Sequence, residues 1–210
     1  FTGEEFFLRD HSGMLPAAVY LEMARAAGAA HGETVRGLTQ VVWPLPLHIG
    51  QNPHLTVQVL KEQTPFGFEI RANAEQPTMY CQGKFVCVEP NAHQAGERLA
   101  IDAIKARCST VITQANCNDL LQGTHGKSLL SIHQLYYRTD EALAELVLPA
   151  HLMAHHASYV LHPSLLNGAV LTGVVWLLMR ENHANLPMPF SLDELRIHQA
   201  LPERVYAHVR

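Results

Sequence analysis

At 210 residues the chain is long enough for one large domain or two small ones, and 48% hydrophobic against 16% charged residues excludes a disordered polypeptide. A formal net charge of -4 with no basic run argues against nucleic acid as a partner. The longest apolar stretch, Gly168 to Met179, is too short to span a bilayer, so it predicts a buried core helix, no membrane association and a cytoplasmic location. No signal peptide is visible, and a start at Phe1 without Met suggests a piece of a longer polypeptide.

The first element follows the run Phe6-Phe7-Leu8-Arg9-Asp10-His11. Pro16 followed by the alanine-rich stretch from Ala17 to Gly28 predicts a helix with proline at its first position, stopped at Gly32. Strand-like runs come next at Leu38–Trp43, Leu45–Ile49, Leu55–Leu60, Phe66–Arg71 and Gly83–Val88, separated by Pro and Gly. Residues Glu89 to Glu97 read as a polar linker and Ile101 to Cys117 as a helix. A second half echoes the first, with strands at Leu129–Tyr137 and Ala142–Leu148, a helix from Pro163 to about Arg180, and a final strand pair near Leu195 and Val205. A helix apolar on all sides must be covered all round, which a sheet folded around it would do. The pattern predicts an α+β protein of two halves, residues 1–90 and 118–210, joined by a linker and helix over 91–117.

Candidate site residues separate into strong and weak ones. The cysteines at 81, 87, 108 and 117 lack CxxC spacing and are expected to be free thiols. His151, His155 and His156 follow Leu148-Pro149 without a nearby Glu, so they are expected in a loop, with no metal site. His162, just before Pro163, reads as a helix-entry residue. Asn167 stands alone as an amide in a long apolar helix; a side-chain amide neither gives nor takes a proton at neutral pH.

Three segments carry a resemblance. The run Phe7-Leu-Arg-Asp-His11 with Leu15-Pro16 and Tyr20-Leu-Glu-Met resembles the start of polyketide synthase dehydratase domains. Val42-Trp-Pro-Leu-Pro-Leu resembles their first sheet, and Tyr159-Val-Leu-His-Pro-Ser-Leu-Leu-Asn-Gly the segment that carries their catalytic Asp. The similarity spans nearly the whole chain in the same order. It implies a double hotdog, two antiparallel sheets each wrapped around a central helix, cut from a multidomain synthase.

The departures from the family pattern are as informative. Its first motif, HxxxGxxxxP, is represented by His11-Ser-Gly13-Met-Leu-Pro16, which is shorter between His and Pro. In its DxxxQ or DxxxH motif, Asn167 replaces the acid and Leu171 its partner one turn on. A GxxYG motif is represented by Gly123-Thr-His125-Gly126. The resemblance therefore implies His11 as catalytic base, Asn167 in a supporting catalytic role, and Gly13, Pro16, His125, Gly126 and Leu171 as substrate contacts.

Loss of the acid and of its neighbour together is closest to the enoyl isomerases, or double-bond shift domains, of antibiotic-producing synthases served by separate acyltransferases. The implied reaction moves a double bond from α,β to β,γ in an intermediate held on the phosphopantetheine of an acyl carrier protein, with no cofactor bound by the domain. Other expected partners are neighbouring synthase domains, and dimers are common in the family. The rival readings are a dehydratase with Asp replaced by Asn, a pyran-forming synthase, and a non-catalytic structural domain.

Overall fold

The computed structural model describes residues 14–48, 54–62, 66–73, 78–87, 98–121, 125–181 and 188–210. These fall into two compact units. The first holds the described residues between 14 and 87 together with 188–200; the second holds 98–181 and 201–210.

In the first unit, helix α1 (Ala17–Ala30) packs on a five-stranded antiparallel sheet. Its strands are β1 (Gly37–Val42), β2 (Leu55–Leu60), β3 (Gly67–Ala72), β4 (Met79–Val86) and β8 (Ser191–Arg196), in the order β2-β3-β4-β1-β8. Pro16 is the residue before the helix rather than its first residue. The helix ends as its sequence predicts. Gly32 takes φ +85°, Glu33 N–H donates to the Gly28 carbonyl and Gly32 N–H to that of Ala29, which satisfies the last carbonyls. The buried helix positions Ala18, Val19, Leu21 and Ala24 and the sheet residues Leu38, Val41, Phe68, Ile70 and Phe85 form the unit's interior. In β1, Gln40 has φ 51°, where the pairing with β4 slips between Thr39 and Val42 and forms a bulge.

The second unit contains α2 (Ile101–Arg107), β5 (Thr110–Thr113), α3 (Gln114–Leu121), β6 (Ile132–Arg138), β7 (Glu141–Val147), α4 (Pro163–Glu181) and β9 (Arg204–Val209). Its antiparallel sheet runs β5-β6-β7-β9. Helix α4 packs on β6, β7 and β9, with Leu165, Leu171 and Val175 joining Leu135, Ala144 and Leu146 in one apolar core. On the opposite face of β7, Leu143 packs with Ile104 and Cys108. β7 is thus covered on both faces, which explains its nearly continuous burial.

Charged groups bind α2 to that second face. Arg107 donates twice to the buried Glu141, which also accepts from His208 at 2.8 Å. The Arg107 guanidinium, with His208, holds the Glu141 carboxyl down at about 2. Lys105 lies 5.1 and 4.8 Å from the ring centres of Tyr136 and Tyr206 and 3.9 Å from Glu145, which also pairs with Arg204.

The fold is the expected α+β hotdog arrangement, with each sheet carrying one long central helix. Three local expectations are corrected. The segment 101–117 is not one helix: Cys108 turns extended and the β-branched run Thr110-Val-Ile-Thr forms β5. Of the strand expected over Leu45–Ile49, the described residues 45–48 form only an isolated bridge between Met14 and His48, because Pro44 and Pro46 lack ladder donors. The two last strands are not a pair. β8 pairs with β1 in the first unit and β9 with β7 in the second, so 118–210 is not a continuous C-terminal half. The helix expected from Pro163 to about Arg180 forms as α4; by length and composition Pro163–Arg180 could cross a membrane, although its buried positions pack on the sheet.

Gly168 sets how closely α4 approaches the sheet. A Cβ there would overlap the Ser131 hydroxyl and come within 3.2 Å of Leu146. Ser131 cannot swing away freely, since its hydroxyl donates to the Ser164 carbonyl at 2.9 Å. Gly168→Ala gains about 1 kcal/mol in helix propensity but incurs overpacking and a broken hydrogen bond. The expected net loss is about 1–3 kcal/mol, read by urea denaturation.

Candidate active site

The site elements in the second unit meet at the start of α4. His162 is the N-cap residue. Its carbonyl accepts the first helical bond, from Leu166 N–H, and its Nδ1 accepts from Ser164 N–H at 3.3 Å. An imidazole with an accepting Nδ1 is neutral, with its proton on Nε2. Burial, and the nearby His156, push its pKa down to about 4. The ring lies edge-on to Tyr159 at 4.9 Å and stacks at 6.0 Å on His156, whose Nε2 donates to the Leu201 carbonyl. His162 is thereby a structural cap that starts α4, consistent with a helix-entry role and unsuited to a base that must cycle near neutrality.

One turn along α4, Asn167 is 5% exposed and its Nδ2 donates to the Leu129 carbonyl at 3.4 Å. Leu129 closes a short 3-10 turn, Lys127–Leu129, that begins at Gly126. The fold therefore brings Gly126 and Asn167 to one end of α4, across a sequence gap that no local pattern reveals. His125 precedes the turn, half-buried, and burial lowers its pKa. Leu171, 3% exposed, belongs to the unit's apolar core. In the first unit, Pro16 stands at the start of α1 with φ -64° and ψ 144°. His11 and Gly13 lie outside the described residues.

The His-rich segment differs from its expectation. Ala150–Ser158 is a 3-10 helix, not a loop. At three residues per turn, His151, His155 and His156 do not share a face. His151 instead pairs with the Ser128 hydroxyl at 2.9 Å. Among the described residues no group of three His, Cys, Asp or Glu side chains is placed to hold a metal, and all four cysteines are free.

Buried acids are the remaining question for proton chemistry. Among the described residues the buried carboxylates are Glu22, Glu141 and Glu145. Glu22 accepts two hydrogen bonds from Arg25, and the other two hold the α2 contacts. Each is thus bound to an arginine.

Residues 96–210 match the family described as polyketide synthase dehydratase N-terminal domain, and residues 1–73 match the polyketide synthase dehydratase domain. The chain belongs to the polyketide synthase dehydratase family. Over its whole length it is 31% identical to polyketide synthase PksM of Bacillus subtilis, of which it spans 5%. A trans-AT polyketide synthase dehydratase domain from Brevibacillus brevis is 29% identical with a TM-score of 0.84, over 95% of this chain and 75% of that one. The pyran synthase domain from module nine of the sorangicin pathway is 28% identical with a TM-score of 0.78, over 94% and 73% of the two chains.

Proposed function

We propose that this dehydratase-family domain is an enoyl isomerase. It shifts a double bond from α,β to β,γ in a polyketide intermediate held as a thioester on the phosphopantetheine arm of an acyl carrier protein. Its setting is a trans-acyltransferase synthase of the cytoplasm, with neighbouring synthase domains as further partners. The observation that carries the reading is the buried amide of Asn167, at the position where the family resemblance implies an acid.

Dehydration of a 3-hydroxyacyl thioester needs a base for the α proton and an acid for the departing hydroxyl. Hydroxide leaves poorly, so loss of the acid costs about 10²–10⁴-fold in rate. A double-bond shift has no leaving group. His11 takes the γ proton, electrons move through the conjugated system to the thioester oxygen, and the imidazolium returns its proton to the α carbon. One imidazole serves both steps. Backbone N–H groups stabilise the dienolate oxygen, while Asn167 orients the substrate or a water. The cycle calls for no metal, nucleotide or flavin.

A pyran-forming synthase is the second reading, favoured by the likeness to the sorangicin domain. Incubation of an α,β-enoyl pantetheine thioester in deuterated water separates the two. An isomerase incorporates deuterium at the γ carbon and yields some β,γ product. A ring-forming enzyme leaves that carbon unlabelled and converts a hydroxylated enoyl substrate to a cyclic ether. Absence of both exchange and shifted product with several substrates would overturn the isomerase reading. Asn167→Asp provides a further check: efficient dehydration restored by this one change would identify a disabled dehydratase, whereas an isomerase stays poor at it because Leu171 has also replaced the usual polar neighbour.

A further inference from the structure

The histidine-rich segment takes no part in the proposed proton transfers, yet two of its rings reach toward the start of α4. The 3-10 helix Ala150–Ser158 lays His156 against the capping ring of His162, at 6.0 Å, and ties His151 to Ser128, at 2.9 Å. His156 backs the cap. His151 is exposed, and a lone hydrogen bond made by an exposed side chain adds little to stability. Since a hydroxyl both donates and accepts, the bond to Ser128 forms with either tautomer of the ring.

Ser128 sits in the middle of the turn Lys127–Leu129, which packs against α4. Leu129 N–H donates to the Gly126 carbonyl at 2.8 Å. Leu129 and Leu152, the residues that follow Ser128 and His151, belong to one buried apolar core. Each segment thus sends a leucine into that core, and the Ser128–His151 bond joins the two nearer the surface.

The last carbonyl of the turn is the one that holds Asn167. It accepts from Asn167 Nδ2 at 3.4 Å, a long bond that a small displacement of the turn would break. Rotation of a side-chain amide about χ2 is soft and roughly two-fold. The tie to Leu129 therefore decides which way the Asn167 oxygen faces.

We infer that His151 is a positioning residue: through Ser128 it fixes the turn whose Leu129 carbonyl orients the Asn167 amide. This rests on the reading that Asn167 orients the substrate or a water during the double-bond shift. His151 itself exchanges no proton with the substrate.

The test compares wild type with His151→Ala, Ser128→Ala and His151→Gln, whose side-chain amide reaches about as far as Nε2 and shares the same kind of hydrogen bond. In unliganded, isotope-labelled protein the side-chain NH2 signals of Asn167 are identified by their loss in Asn167→Asp. Both alanine variants are expected to shift those signals. They are also expected to lower kcat for γ exchange about 3–10-fold with KM unchanged, while the melting temperature stays within about 3 °C of wild type. His151→Gln is expected to restore both signals and rate. Signals that stay in place in the alanine variants, an unchanged kcat, no rescue by glutamine, or a larger fall in melting temperature each overturns the inference, the last because it marks a bond that merely holds the fold. If the signals shift and glutamine restores them but wild type shows no γ exchange with any enoyl substrate, the isomerase reading fails and the hold of His151 on Asn167 stands.

Discussion

Replacing His11 with alanine is expected to lower γ-carbon deuterium exchange about 10²–10⁴-fold, the range spanned by positioned acid–base groups. The loss should fall on kcat with little change in KM, because the imidazole acts on protons in the transition state and contributes little to holding the acyl chain. The isomerase reading makes this the most severe single change in the domain. Both proton transfers pass through one ring, so no second titrating group can carry half of the cycle. Mass spectrometry of the recovered thioester reads the exchange directly, without requiring a favourable equilibrium for the shifted product. Added imidazole should restore part of the rate in the alanine variant and none in the wild type. If the variant keeps more than about a tenth of the wild-type exchange, the base lies elsewhere and the single-histidine mechanism fails.

Sequence patterns reached the two central helices because their signals are local. Pro16, the alanine run and Gly32 define α1, and the helix does end with Gly32 in the left-handed region. β2 likewise alternates Thr56 and Gln58 outward, and its predicted span Leu55–Leu60 matches the structure. What escaped depends on distant partners. Nothing in Ser191–Arg196 announces that it pairs with β1, about 150 residues earlier in the chain, rather than with the strand that follows it. The break at Cys108 could have been read from Thr110-Val-Ile-Thr, whose β-branched run competes with a continuing helix. The site was legible only in part. Asn167 stood out as the one amide in an apolar helix, but its tie to Leu129 crosses 38 residues and has no local signature. His162 was identifiable as a helix-entry residue; that its own ring provides the cap required coordinates.

The capping role of His162 has a consequence for acid stability, and its sign can be worked out. In the folded domain the imidazole titrates at about 4, against 6.5 for an unperturbed histidine, with burial as the leading cause and His156 as the second. The unfolded chain therefore binds a proton at a pH where the folded chain does not. The contribution of this group is fully present above pH 6.5, declines as pH falls below it, and levels off near pH 4, where both states are protonated. A gap of this size corresponds to about 3 kcal/mol in all, roughly 2 of them gone by pH 5. Protonation also removes the lone pair that accepts from Ser164 N–H, so the first turn of α4, which leads to Asn167, loses its cap together with the stability. Urea denaturation at pH 7.5, 6 and 5 measures the slope, a window in which Glu141, held near 2, stays ionised. His162→Asn keeps a side-chain oxygen able to cap the helix but cannot titrate. The variant is expected to be less stable than wild type at pH 7.5, because the smaller side chain leaves space beside Tyr159, yet to show a clearly flatter pH profile. Equal slopes for the two proteins between pH 7.5 and 5 would show that His162 takes up its proton in the folded domain as readily as in the unfolded chain, and that another group starts α4.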